Sequence, residues 1–129
     1  MNQESGKITS FTQLNAWQEG HKLALAIYRI TKGFPEDERF GLINQMRRAA
    51  VSITSNIAEG FARSSYQEKI RFYLISQGSL TELQNQLLLS RDIGYIDKPS
   101  FEELAEQSVR VQKITNGLLK GARNVVHNS

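Results

Sequence analysis

From Phe101 to Val125, the positions Phe101, Leu104, Ser108, Val111, Thr115, Leu118, Ala122 and Val125 follow one another in steps of three and four residues. Steps that alternate three and four return to one side of an α-helix, so this stretch is expected to bury a single stripe over more than three heptads. No segment shows the period-two alternation of a half-buried strand. A chain whose only pattern is helical must hide its stripes against other helices, which restricts it to the all-α class. At 129 residues, one domain with its own core is the default.

Three more helices are legible upstream. Ala16, Gly20, Leu23, Ile27, Ile30 and Phe34 form one seam, and Leu14, Trp17, His21, Ala24, Tyr28 and Thr31 a second beside it, so the first helix is expected to touch neighbours on more than one side. Gly33 and the following Phe34-Pro35 supply its stop, the glycine by accepting the left-handed conformation. The second helix is expected to begin between Glu36 and Gly41, with Glu36, Asp37 and Glu38 in its first turn, and to run to about Phe61. It packs through Leu42, Met46, Ala49, Ile53 and Ile57, and its many small residues admit close neighbours. Ser65-x-x-Glu68 reads as a capping box opening a third helix to about Asp92, with Gly94 as the stop, and Ser100-x-x-Glu103 as the box opening the fourth. Gly78, inside the third helix, costs about 1 kcal/mol against alanine, and close helix contact is the expected compensation. Short connections between four helices imply an antiparallel up-down-up-down four-helix bundle over residues 13–124, with an N-terminal arm (1–12) and a tail (125–129) expected to fray.

Several kinds of chemistry are excluded or disfavoured. With no cysteine there is no thiolate metal site, disulfide or catalytic thiol. The Gly-rich phosphate loops and the Glu-x-x-His pairs of di-iron bundles are both missing, so no metal and no cofactor is expected. His21 reads as an ordinary packed or interface histidine. No stretch approaches the roughly 18 apolar residues of a membrane span, and Met1 to Ser10 lacks the apolar core of a signal peptide, so a cytoplasmic location is expected.

The polar residues are more specific. Arg48, Ser52, Asn56, Glu59 and Arg63 form one ridge on the second helix. It reads either as a site with Glu59 as acid or base, Glu82 being a conceivable partner, or as a hydrogen-bonded seam that fixes helix register. The seam is preferred because no second carboxylate or nucleophile stands at a convincing spacing. Six cations, Arg39, Arg47, Arg48, Arg63, Lys69 and Arg71, face only Glu59 and Glu68 within their stretch. From Gln107 to Ser129 there are Arg110, Lys113, Lys120 and Arg123 and no acid, all four on the side of the helix away from its apolar stripe. Such a face suits phosphate contacts, and it equally suits a solvated surface. Phe61 and Tyr66, flanking Arg63, are candidates for stacking on bases, although core packing is the simpler role for Phe61.

Phe40-Gly41-Leu42, Gln45-Met46-Arg47-Arg48-Ala49-Ala50-Val51-Ser52-Ile53, Ser55-Asn56-Ile57-Ala58-Glu59-Gly60-Phe61-Ala62-Arg63, Gly78-Ser79-Leu80-Thr81-Glu82-Leu83 and Gly94-Tyr95-Ile96 together resemble the bacterial proteins encoded in intervening sequences of 23S ribosomal RNA genes. The likeness spans about Phe11 to Leu119. Thr54 departs from it, standing where proline is common in that family. The resemblance implies a left-handed bundle assembled as a ring-shaped homopentamer with no known enzymatic activity. A related retroelement accessory protein implies nucleic-acid binding and contact with a reverse transcriptase, with Arg47, Arg48 and Arg63 as candidate positions. The expected function is therefore non-enzymatic binding of RNA or DNA, with Arg47, Arg48, Arg63, Lys69, Arg71, Arg110, Lys113, Lys120 and Arg123 as contacts. The alternative is an accessory subunit that binds a protein partner.

Overall fold

The computed structural model describes residues 7–129, and the first six residues of the expected N-terminal arm lie outside the described residues. Four α-helices account for most of the chain: α1 (Asn15–Thr31), α2 (Leu42–Ala62), α3 (Tyr66–Asp92) and α4 (Lys98–Asn128). Each packs on two neighbours, α1 on α2 and α4, and α3 on α2 and α4, while neither diagonal pair comes into close backbone approach. Contact registers give the directions. Ser52 meets Ser79 and Gly60 meets Tyr73 across α2 and α3. Gln84 meets Ser108 and Gln77 meets Asn116 across α3 and α4. In both pairs one number rises as the other falls, so these helices run antiparallel.

The interior follows the seams. Leu23, Ile27, Met46, Ile53, Ile57, Leu80, Leu83, Leu87 and Val111 are fully enclosed, each stabilising the fold by about 1.5–3 kcal/mol of removed apolar surface. Small residues set the α1–α2 distance: a Cβ on Gly20 would stand 3.0 Å from the Thr54 methyl. The buried hydroxyls of Ser76 and Thr31 are satisfied by backbone carbonyls, Ser76 donating across the helix pair to Ile53 O at 2.8 Å and Thr31 to Ile27 O at 2.7 Å, whereas the Thr115 hydroxyl on α4 has no partner among the described residues. On α4 the inward stripe ends on Leu119 and Ala122, with Leu118 only half-buried.

The helix ends differ from their expected chemistry at several points. Glu36–Glu38 forms a separate 3-10 turn, and α2 begins at Leu42, whose amide donates to the Glu38 carboxylate at 3.1 Å. That carboxylate also accepts from the Tyr95 hydroxyl at 2.9 Å, tying the α3–α4 connection to the start of α2. The cap of α4 is Asp97, not Ser100, accepting from Ser100 N at 2.8 Å, because Pro99 fits the first helical turn, where no partner for its amide is needed. Gly94 takes a left-handed φ of 88° as expected, whereas Gly33 does not and α1 closes through ordinary turn bonds. α4 continues to Asn128, through most of the segment expected to fray, and Phe11–Gln13, where the expected arm meets the bundle, forms a 3-10 turn with Phe11 edge-on to Trp17 at 5.4 Å.

Two further expectations change. A Cβ on Gly78 would meet nothing within 4 Å, so close packing inside the protomer does not compensate this glycine. Ser65 does cap α3, accepting from Glu68 N at 3.1 Å, but the Glu68 side chain turns to Arg63.

Candidate nucleic-acid interface

The cations singled out by sequence separate into engaged and free groups. Arg47 faces α1: its Nε donates to Thr31 Oγ1 at 2.9 Å, a terminal nitrogen donates to Tyr28 O at 3.2 Å, and the guanidinium lies 4.6 Å from the Tyr28 ring centre. It braces the last turn of α1, where a cation is favoured by the helix dipole. Lys69 does the same for α2, its ammonium donating to Phe61 O at 2.6 Å and Gly60 O at 3.2 Å. Burial pushes its pKa below the ordinary lysine value. Arg63 lies between Glu59 at 3.8 Å and Glu68 at 3.9 Å, over the Phe72 ring, which Arg71 also covers at 5.0 Å.

The ridge on α2 divides in the same way. The Ser52 hydroxyl shares a 2.7 Å hydrogen bond with Ser79 across α2 and α3, and Asn56 Nδ2 donates to Ser52 O at 2.8 Å within α2, so Ser52 makes the seam between the helices and Asn56 backs it from the next turn. Glu59 stays outside it, exposed beside Arg63. Arg48 is exposed at a shallow hollow shared with Gln45, Ser52, Ser79 and Glu82. Since Ser79 is level with Ser52, Glu82 is level with about residue 49, and Glu59 stands ten residues along α2, about 15 Å away at 1.5 Å per residue. The two carboxylates do not converge on one reacting atom.

On α4 the picture is simpler. With Leu104, Ser108, Val111, Thr115, Leu119 and Ala122 turned inward, the sequence Arg110, Lys113, Gly117, Lys120 steps along an outward ridge by three, four and three residues. Arg110 leans towards α1, 3.8 Å from Glu19. Lys113, Lys120 and Arg123 are exposed and, among the described residues, have no carboxylate within 4.0 Å.

Beside this ridge lies a groove that the sequence reading missed. It has a volume of about 540 Å³ and opens between the last turns of α4, the start of α1 and the α2–α3 junction. Phe61, Tyr66, Lys69 and Tyr73 line one side, Gly117 and Gly121 the other, and none of its lining residues is acidic. A Cβ on either glycine would meet nothing within 4 Å. Two glycines one turn apart in the interior of a helix, each costing about 1 kcal/mol in propensity, were the available sequence signal. His21, by contrast, is occupied in stacking on Trp17, the rings 4.6 Å apart.

No helix among the described residues is long and apolar enough to cross a membrane. No curated protein matches the chain. In its fold the chain is similar to a crystal structure from Bacteroides thetaiotaomicron, described as a protein with unknown function from the S23 ribosomal protein family. The two share 22% identity at a TM-score of 0.75, over 81% of this chain and 95% of that one. The family model described as 23S rRNA-intervening sequence protein matches residues 12–117, the stretch that carries α1, α2, α3 and most of α4, and the chain belongs to that family.

Proposed function

We propose that this protein is a non-enzymatic RNA-binding bundle that works as a homo-oligomer and holds the phosphate backbone on the outer ridge of α4. The observation that carries this reading is the set Lys113, Lys120 and Arg123, three exposed cations without an acidic partner on a half-helix that contains no acid. Arg47 and Lys69 are drawn into helix ends and Arg63 into an ion-pair cluster, so they serve the fold before they serve a ligand. Arg110 continues the ridge towards α1, where it meets Glu19, while Arg48 and Arg71 are exposed on α2 and α3. The distance between Glu59 and Glu82 favours binding over acid–base catalysis.

Phosphate contacts displace condensed counterions, so affinity falls with salt. Three contacts to a single strand give a slope of about −2 in log K against log salt per protomer. Fluorescence anisotropy with a labelled RNA is expected to show this slope, and K113E/K120E/R123E is expected to flatten it and weaken binding at least tenfold. Absence of binding at about 50 mM salt, where such contacts remain strong, refutes the reading.

A second role, docking to a protein partner, draws on a different surface. Leu74, Ile75, Leu88 and Leu89 are exposed on α3, bracketing Gly78, whose missing side chain leaves the helix backbone open. Self-association is the occupant we propose for this face, a ring of five as the resemblance implies. A host protein retained on the tagged bundle after nuclease treatment favours the accessory-subunit reading instead.

A further inference from the structure

We infer that the groove beside the α4 ridge receives an unstacked nucleobase, so that the protein selects single-stranded over duplex RNA. This rests on the RNA-binding reading above and adds to it a site and a selectivity.

Geometry and charge both point to this occupant. Lys113 and Lys120 stand four residues before and three after Gly117, which places them on the same helix surface as its neighbours. A strand whose phosphates lie on these two lysines passes directly over Gly117, at the edge of the groove. There the helix shows bare backbone at Gly117 and Gly121, a wall that a flat ring can approach closely. The opposite side is aromatic: Tyr66 is exposed at the first residue of α3, with Phe61 and Tyr73 beyond it. The Lys69 ammonium, 5.7 Å from the Tyr66 ring centre, adds positive charge without an acid in the lining to cancel it. A slot with an aromatic wall next to a row of cations is the arrangement that binds single strands, because every base offers a face to stack and every nucleotide a phosphate to pair. A duplex keeps its bases stacked and cannot fill the slot.

The test compares labelled single-stranded and duplex RNA of equal length, and includes a single strand carrying 2-aminopurine, whose fluorescence reports stacking. Gly121→Leu projects a side chain into the groove from a position where a Cβ meets nothing within 4 Å, and Y66A removes the exposed ring of the aromatic wall. Single strands are expected to bind at least tenfold more tightly than duplex. Each variant is expected to lose about tenfold for single strands, in the range that stacking one base supplies, with duplex binding unchanged and the 2-aminopurine signal abolished. Equal affinity for the two RNA forms overturns the inference, as does single-strand affinity within twofold of wild type in both variants. If RNA still binds and K113E/K120E still weakens it, only the groove assignment falls; if wild type binds neither RNA, the RNA-binding reading falls with it. A change in oligomeric mass of Gly121→Leu by light scattering assigns the groove to a second copy of the chain and also overturns the inference.

Discussion

Glycine carries opposite meanings at different points of this chain. At Gly60 a Cβ would approach Tyr73 Cε1 to 2.7 Å and Phe72 Cβ to 3.1 Å, so α2 and α3 come together there only because the side chain is missing. Gly60→Ala gains about 1 kcal/mol of helix propensity and loses about 1–3 kcal/mol to overpacking. A net loss of roughly 1 kcal/mol is expected from these two terms. At Gly121 the same change meets open space and keeps only the gain, so Gly121→Ala is expected to stabilise the protomer by about 1 kcal/mol. Urea unfolding of the two variants checks both signs, and a stabilised Gly60→Ala contradicts the close approach. The cations teach a related lesson. Arg47 and Lys69 are indistinguishable in sequence from Lys113 and Lys120, yet the first pair closes helix ends and the second faces solvent. Charge is a property of the residue, and its availability is a property of what lies within reach.

At the scale of the element, the helices themselves were legible because each repeats its pattern over many turns, and their ends were less so because a cap depends on one or two residues. Ser100-x-x-Glu103 fits a capping box, but Asp97 three residues earlier takes the position, since Lys98 and Pro99 extend the helix backwards. The Asp97 carboxylate accepts from Ser100 N, and this bond holds its pKa below the ordinary carboxylate value. A carboxylate with a depressed folded pKa contributes stability that is complete above its unfolded pKa, about 3.9, and is lost as pH falls through the folded value. Asparagine caps without titrating. Thermal unfolding of wild type and Asp97→Asn is therefore expected to differ most near neutral pH and to converge below about pH 4, the range in which the free carboxylate protonates. A gap that stays constant down to pH 2 removes the cap from the acid response. Gly78 is the other failure at this scale: its cost to α3 was visible, but the compensating contact is not within the protomer. The whole α3 helix shares this character, with Phe72, Tyr73, Leu83 and Leu87 buried and Leu74, Ile75, Leu88 and Leu89 exposed.

At the scale of the whole molecule, charge is sorted along the bundle. The end that holds the α1–α2 and α3–α4 connections mixes Arg29, Lys32, Arg39, Arg91 and Lys98 with Glu36, Asp37, Glu38, Asp92 and Asp97. The opposite half of α4 carries cations alone, and this one-sided charge is what the proposed RNA contact rests on. Light scattering is expected to give a mass several times the 14.6 kDa of the chain, and Leu74→Lys/Leu88→Lys is expected to return it to the monomer with its helicity intact. A monomeric wild type contradicts the proposed role of the α3 face. The sequence by itself determined that this protein is four helices and which residues of α1 and α2 turn inward, because hydrophobic period and helix geometry are local quantities that repeat; on α4 it placed Leu118 and Val125 in the stripe where the structure buries Leu119 and leaves Val125 exposed, and for α3 it named no stripe. It also determined how many cations the chain carries. Which of them stay free, where Glu59 stands relative to Glu82, and the groove between α4 and the α2–α3 junction were decided only by tertiary structure. Each depends on the register at which residues far apart in the chain come side by side, and no local pattern encodes that register.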